Sequence, residues 1–326
     1  MTITEIANMA GVSVSAVSRY LNQGYVSEEK QKKIKEVIEK TGYQPSKQAQ
    51  ILRTKKSKVI GVILPKISSE GIGRVADGIS SVLSKKGYQM LLASTENDPK
   101  KEIEYLQLLN KNPVDGILFS ASIYDEEHRE ALNQLNVPVV VISQKFEGKA
   151  CVYHDDYGAA KCMTQRLIQS GKKHIAHIGV LKEDMAAGFS RTKGYEDALD
   201  EAGLGDDKGR EATSLFTMES GYEKMKELLE KYPDTDAVFC ATDTIAIGAL
   251  SYLHEIGKRI PQEIAVAGIG HNKMSRVIQP KLTTAHLAYK TSGMEAASML
   301  LEMIEKRTNL SKQVQLGYEV IDGESV

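Results

Sequence analysis

Ala10-Gly-Val-Ser-Val-Ser-Ala-Val-Ser-Arg-Tyr-Leu-Asn22 reads as the turn and second helix of a helix-turn-helix. Gly11 can take the positive φ of a tight interhelical turn, Ser13 offers an N-cap oxygen to the orphan amides that follow, and Val17 and Leu21 fall one turn apart on a buried side. The other side is short and polar. Val14, Ser15, Ala16, Ser18, Arg19 and Asn22 are expected to project outward, small enough for the backbone to lie deep in a DNA major groove while Arg19 and Asn22 reach bases or phosphates. Upstream, Thr2-Ile-Thr-Glu5 has the S/T-x-x-E capping-box pattern, and Ile3, Ile6, Ala7 and Ala10 form the apolar stripe of a first helix. Thr4, on that helix, joins the candidate DNA contacts. Downstream, Ser27 reads as the N-cap of a third helix, with Glu28 and Glu29 at its positive end. Ile34, Val37 and Ile38 form its buried face and Thr41-Gly42 its stop.

A pair of surface amphipathic helices with no special purpose would share some of this spacing, and charge separates the two readings. Residues 1–58 hold eleven Lys/Arg against five Glu, a net of +6, so the overall −1 leaves −7 on the other 268 residues. A basic head on an acidic body is the footprint of a modular phosphate binder. Pro45 ends the third helix, and the basic stretch up to Lys58 has two readings. Lys47 to Arg53 is either a plain linker or a short helix with Ala49 and Leu52 on one side. Such a helix is marginal alone, would fold on DNA, and would wedge Leu52 into a minor-groove base step.

The length of 326 residues suits a small DNA module plus a two-lobed core, and 41% hydrophobic with 26% charged residues is the make-up of an ordinary soluble globule. No apolar run approaches the ~20 residues of a membrane helix, and the first residues read as a capped polar helix without a secretory hydrophobic region. A cytoplasmic protein with no membrane partner is expected. Cys151, Cys162 and Cys240 have neither CxxC nor zinc spacing, which fits buried thiols in a reducing compartment.

From Val59 the pattern alternates apolar strands with helices. Strands are expected at Val59–Leu64, Tyr88–Ala93, Gly116–Phe119, Val137–Ile142, His174–Ile178, Ala237–Cys240 and Ile264–Ala267. The helices between them include Gly73–Lys86, Lys100–Lys111, Gly158–Ser170, Thr192–Ala202, Gly221–Lys231 and Thr244–Ile256, and a last strand falls at Leu316–Ile321. This alternation implies parallel sheets covered on both faces. The expected fold is an all-α helix-turn-helix head plus an α/β core of two lobes, with a cleft between them at strand C-termini.

The chain resembles the lactose-repressor (LacI/GalR) family of bacterial transcriptional regulators over essentially its whole length. The resemblance rests on Ile-Thr-Glu-Ile-Ala7, Ala-Gly-Val-Ser13 with Val-Ser-Arg19, Asn22, Gly42-Tyr-x-Pro45, Ile-Gly-Val-Ile63, Val-Asp-Gly-Ile117, Arg191-Thr-Lys-Gly-Tyr195, Ala-Thr-Asp243 and Pro280-x-Leu-Thr-Thr284. It implies a periplasmic-binding-protein-like core and a homodimer that binds double-stranded operator DNA, with operator affinity controlled by a small effector, a sugar or sugar-like molecule. It also implies a helix-turn-helix domain over 1–45, a hinge helix and linker over 46–58, and a core over 59–326. The first lobe would take about 59–157 and 287–313, and the second about 158–286 and 314–326. Leu52 matches the family's intercalating hinge leucine and Ala49 its minor-groove companion.

For the effector, Arg191 matches the arginine that forks onto ligand hydroxyls or carboxylates. Asp243 is expected as a ligand acceptor, an N-cap, or both. Tyr289 is expected under the ligand or in the core. Asp155 or Asp156 is expected to line the cleft or to lie solvated at a lobe edge, and Ser68 and Ser69 are the first lobe's candidates. Thr242 stands where many sugar-binding relatives have Asn, Gly270 where many have Asp, and Ile67-Ser-Ser-Glu-Gly-Ile72 lacks the relatives' Asn-Pro-Phe-Phe, so the effector's identity does not carry over.

An enzyme is not expected. The chain has no GxxxxGK[ST] loop, Gly268-Ile-Gly270 lacks the third glycine of a dinucleotide fingerprint, and His154-Asp155-Asp156 reads as a solvated loop, so no cofactor, metal or catalytic residue is assigned. A sugar-binding transport protein would share the lobes and lack the head. The mode of control is open between release by an inducer and dependence on a corepressor.

Overall fold

A computed structural model describes residues 1–22, 24–43, 56–308 and 311–326. The chain divides into two compact units, Met1–Ser57 and Lys58–Val326.

In the first unit, α1 (Ile3–Ala10), α2 (Val14–Leu21) and α3 (Glu28–Thr41) pack around Ile6, Ala7, Ala10, Val17, Val26 and Ile34. The capping box forms reciprocally. The Thr2 amide donates to Glu5 Oε2 at 2.7 Å and the Glu5 amide to Thr2 Oγ1 at 3.3 Å. Gly11 turns the chain at φ +65°, and Ser13 Oγ caps α2 by accepting from the Ala16 amide at 3.3 Å. Ser27 stands at the N-cap position of α3 but makes no side-chain capping bond.

In the second unit, β1 (Val59–Leu64), β2 (Gln89–Ser94), β3 (Gly116–Ser120), β4 (Val139–Ile142), β5 (Ala150–His154) and β11 (Gln313–Leu316) form one sheet in the order β11-β5-β4-β3-β1-β2, parallel throughout. β6 (Ile175–Gly179), β7 (Glu211–Thr213), β8 (Ala237–Cys240), β9 (Ala265–Ile269), β10 (Thr283–Leu287) and β12 (Tyr318–Ile321) form the other, in the order β12-β10-β9-β8-β6-β7, with only β12 antiparallel to its neighbour. The strands read as unbroken apolar runs because both faces are covered. On β1, Ile60, Val62 and Leu64 pack toward α4 (Glu70–Leu83) and α11 (Tyr289–Lys306), while Ile63 faces α5 (Pro99–Lys111) through Leu106 and Leu109. In the first lobe α6 (Glu126–Asn133) also covers the sheet. In the second, α7 (Asp156–Gln169) and α8 (Arg191–Glu201) cover one face, and α9 (Met218–Lys231) and α10 (Asp243–Glu255) the other.

The lobes are not sequential. The chain passes from the first sheet to α7 after β5, returns through α11 after β10, and crosses again between β11 and β12. The closing strand expected at Leu316–Ile321 is β12, and a separate strand, β11, precedes it and ends at Leu316. Gln313–Leu316 pairs with β5 in the first lobe and Tyr318–Ile321 with β10 in the second, so the expected boundary after residue 313 moves beyond Leu316. α4 and α11 approach so closely that a Cβ on Gly78 would lie 2.1 Å from the Lys290 carbonyl oxygen, and one on Gly293 2.1 Å from that of Val75. Of the cysteines, Cys151 and Cys240 are buried as expected, whereas Cys162 is partly exposed.

His177 on β6 is a buried polar group with both ring nitrogens engaged. Nδ1 lies 3.0 Å from the Phe239 carbonyl oxygen and Nε2 3.1 Å from Thr192 Oγ1, and the ring stacks on Phe239 and Tyr195 at 5.0 and 4.9 Å. Burial pushes its pKa down to about 4. An unfolded histidine titrates near ~6.5, so as pH falls from there to 4 the unfolded chain gains a proton that the native core refuses, and stability drops. In urea melts the stability difference between wild type and His177→Gln is expected to narrow by about 3 kcal/mol across that window. A difference that stays constant with pH would show that His177 accepts its proton in the native core.

Candidate functional site

On the head, α2 presents one polar face. Val14, Ser15, Arg19 and Asn22 are exposed and Ser18 is half-buried. Arg19 Nε donates to the Ser15 carbonyl at 3.3 Å, and the Asn22 amide donates to the Ser18 carbonyl, so both polar heads are held against the helix surface. Thr4 is exposed on α1. Ala16 departs from expectation. It is 5% exposed and lies on the flank that Val17 and, one turn on, Tyr20 bury. A methyl carries no sequence signal for which side it faces, and here it belongs to the core. Ala49 and Leu52 lie outside the described residues.

The two lobes enclose a cleft of about 370 Å³ at the C-terminal ends of their strands. Two of the three crossings help build it. Asp156 follows the first, Tyr289 follows the second, and Arg191 opens α8 beside them. Arg191 is 5% exposed and donates to Asp156 Oδ1 from Nε at 2.8 Å and from Nη2 at 2.6 Å, and to the Ala241 carbonyl from Nη1, with Tyr289 lining the cleft beside it. Burial opposes the charge on this guanidinium, and Asp156 with Tyr289 more than restores it. Burial also raises the Tyr289 hydroxyl, against the pull of Arg191. Asp184 caps the single π-helical turn Met185–Ser190 by accepting from the Ala186 and Ala187 amides at 3.0 and 2.8 Å, and burial pushes its carboxyl up to about 6.

Of the expected residues, Ser68, Ser69, Asp156, Arg191 and Tyr289 line this cleft together, and Asp155 and Asp243 do not. Asp155 is the N-cap of α7, its Oδ1 accepting from the Gly158 amide at 3.0 Å. Asp243 is wholly buried behind the cleft wall, accepting from Thr284 Oγ1 at 2.5 Å and from the Asn272 amide at 2.9 Å. The N-cap of α10 is Thr242, whose hydroxyl accepts from the Ile245 amide at 3.3 Å and which faces the cleft. His154-Asp155-Asp156 is no solvated loop, because the three side chains part. His154 and Asp156 are each 5% exposed inside the cleft, while Asp155 turns to the helix.

Missed from the sequence were His154, Ser122, Gln144, Asn272 and Phe216, all cleft-lining. A strand C-terminus followed by a polar residue was the available signal for the first three. Also missed was Arg74, whose guanidinium crosses from the first lobe to the second. Nη1 donates to the Gly270 carbonyl at 3.2 Å, and Nη2 lies 3.2 Å from His286 Nδ1. Among the described residues no group of three His, Cys, Asp or Glu has metal-binding placement, and no helix is long and apolar enough to cross a membrane.

Comparison with known proteins agrees with this architecture. Residues 2–46 match the model of bacterial regulatory proteins of the lacI family, and residues 164–326 that of a periplasmic binding protein-like domain. The chain is 32% identical over 327 residues to the HTH-type transcriptional regulator RegA of Clostridium saccharobutylicum, covering 99% of this chain and 98% of that one. It is 32% identical over 303 residues to the sucrose operon repressor of Staphylococcus xylosus, covering 93% of each. The solved transcriptional regulator CelR-cellobiose complex is similar over 100% of both chains, with 28% identity and a TM-score of 0.77. A head that presents a recognition helix, a two-lobed core with a cleft at its crossings, and full-length similarity to these regulators place the chain in the lacI family of bacterial regulatory proteins.

Proposed function

We propose that this protein is a sequence-specific transcriptional repressor, acting in the cytoplasm as a homodimer and catalysing no reaction, whose operator affinity is set by a small sugar-like ligand held between the lobes of its core. Arg191 carries the reading: a buried guanidinium, fixed by Asp156 and the Ala241 carbonyl, stands in a hydroxyl-rich cleft at the seam between lobes. Its five donors in a rigid plane suit vicinal hydroxyls. The sucrose operon repressor and the cellobiose complex among its relatives support a carbohydrate. The dimer follows from the head, since one eight-residue recognition helix reaches few base edges and a two-fold pair of them reads a pseudopalindrome.

Control then follows from linkage. A ligand shifts the balance between operator-competent and incompetent states only by its differential affinity for them, and DNA changes the ligand's affinity by the same factor. An inducer binds the free repressor more tightly than the operator complex.

Three measurements test this. A gel shift on the DNA upstream of the protein's own gene, run against a panel of sugars, is expected to show a retarded band that one sugar dissolves. A sugar that sharpens the band instead would replace induction by corepression, and no specific band would remove the repressor reading. Arg19→Ala is expected to weaken operator binding by about 1–3 kcal/mol with a smaller effect on random DNA. Equal losses on both would make Arg19 a phosphate contact. Truncating Arg191 alone would strand Asp156 as an unpaired buried carboxylate. The pair Arg191→Ala with Asp156→Asn is therefore expected to bind operator normally and ignore the sugar. A retained response would take Arg191 out of the ligand site.

A further inference from the structure

Among the described residues four polar side-chain atoms of the first lobe are buried without a hydrogen-bond partner. Thr95 Oγ1 lies away from the cleft, and the other three belong to residues that line it: Ser122 Oγ, Gln144 Oε1 and His154 Nε2. Gln144 and His154 are 3% and 5% exposed. Leaving such atoms unsatisfied is costly, so a cluster of them in one cavity marks where a ligand supplies the missing partners.

Their chemistry is fixed by what surrounds them. Gln144 Nε2 donates to the Ala121 carbonyl at 2.9 Å and to the Ser122 carbonyl at 2.8 Å, which sets the amide so that Oε1 is a bare acceptor. Burial keeps the His154 imidazole neutral, so Nε2 is able to accept in the tautomer protonated at Nδ1. Ser122 Oγ accepts or donates. The loop that carries it is held from behind, where both oxygens of the buried Glu102 accept from the Ser122 amide at 3.0 and 3.2 Å and His128 lies 3.2 Å from Glu102. The first-lobe wall thus asks its ligand for O–H or N–H donors.

Charge points the same way. The cleft lining carries Lys66 and Arg191 against Glu70, Asp156 and Asp184. Arg191 is already matched to Asp156. Four helices that begin at the cleft, α4, α7, α9 and α10, each place an acid in their own first turn: Glu70, Asp156, Glu219 and Asp243. These acids occupy the positive helix ends that would otherwise attract an anion. A phosphate or carboxylate would bring acceptors to acceptors and negative charge to a lining that is on balance acidic.

We infer that the cleft takes an uncharged polyhydroxyl ligand, with hydroxyl donors directed at Gln144 Oε1, His154 Nε2 and Ser122 Oγ, and discriminates against the phosphorylated form of the same sugar. The inference rests on the ligand-controlled reading proposed above and narrows it to one class of effector.

The test is titration calorimetry and thermal melting of the full chain with matched pairs: glucose and glucose 6-phosphate, ribose and ribose 5-phosphate, fructose and fructose 6-phosphate, sucrose and sucrose 6-phosphate, and cellobiose and cellobiose 6-phosphate. One neutral member is expected to bind, and its phosphorylated partner to bind at least about tenfold more weakly. Ser122→Ala breaks no hydrogen bond of the free protein, so its melting temperature is expected to hold or rise while its affinity for that sugar falls about tenfold. His154→Phe, which keeps a ring against Tyr289, is expected to lose affinity likewise. A phosphorylated sugar that binds as well as its neutral partner would overturn the discrimination and leave the effector site standing. Unchanged sugar affinity in both variants would show that the sugar does not reach these atoms and would overturn the assignment. Failure of every sugar in both forms would overturn the sugar-effector reading itself.

Discussion

The buried pair of Arg191 and Asp156 is the interaction on which the cleft depends. Each charge alone would be expelled from so dry a place, and together they are kept by a guanidinium that spends Nε and Nη2 on one carboxylate and Nη1 on a backbone carbonyl. The pair joins two distant parts of the chain, the first crossing between lobes and the start of α8. It fixes both at the edge of the second sheet and offers its remaining donors to the cavity. Tyr289, delivered by the second crossing, completes the corner. Removing either charge would therefore unsettle the crossing as well as the ligand surface, which is why the pair has to be altered together to separate binding from folding.

A second set of contacts decides how the lobes meet. Arg74 on α4 donates to the Gly270 carbonyl and approaches His286, and the Lys273 amide donates to Glu70 at 3.0 and 3.2 Å, so α4 ties the first lobe to the loop after β9 and to β10 of the second. Gly270 sits at φ +144°, a conformation that side chains with a Cβ rarely adopt. At this position the backbone carbonyl of Gly270 faces the first lobe and accepts from Arg74. Burial and the nearby Arg74 lower the pKa of His286, which leaves a neutral imidazole nitrogen able to accept from the guanidinium. Arg74 and the backbone it reaches thus bridge the two lobes.

Legibility followed periodicity. The head was readable because Gly11, Ser13 and the Thr2/Glu5 box each perform a local task that neighbouring sequence states in full. Seven strands were readable from their apolar runs, with ends shifted by a residue or two, whereas β5, β7 and β10 were not foreseen. Ala16 and the split of β11 from β12 were not, since a methyl fits either side of a helix and Gln-Val-Gln-Leu-Gly-Tyr-Glu-Val-Ile alternates smoothly across a change of sheet. The site was half legible. Arg191 and Tyr289 stood out by their surroundings in sequence, whereas Asp155 and Asp156 differ only in which way a helix start turns them. Asp243, a charged residue at a helix start, looked like a ligand contact and proved to be the buried brace of Thr284 and the Asn272 amide. Such choices are made by tertiary packing.

The same packing explains why the cleft is stable without being self-sufficient. Its second-lobe wall is satisfied internally. Asp184 serves two amides, Thr242 caps its helix, and Arg191 has its carboxylate. The first-lobe wall leaves Ser122, Gln144 and His154 each one partner short. A ligand that bridges the walls supplies the partners missing from the first and adds contacts to the second, and the joint set is complete only in the arrangement that brings both walls to it. That is the differential affinity a switch requires, because contacts confined to one lobe would be equally available in every arrangement of the two and would shift nothing.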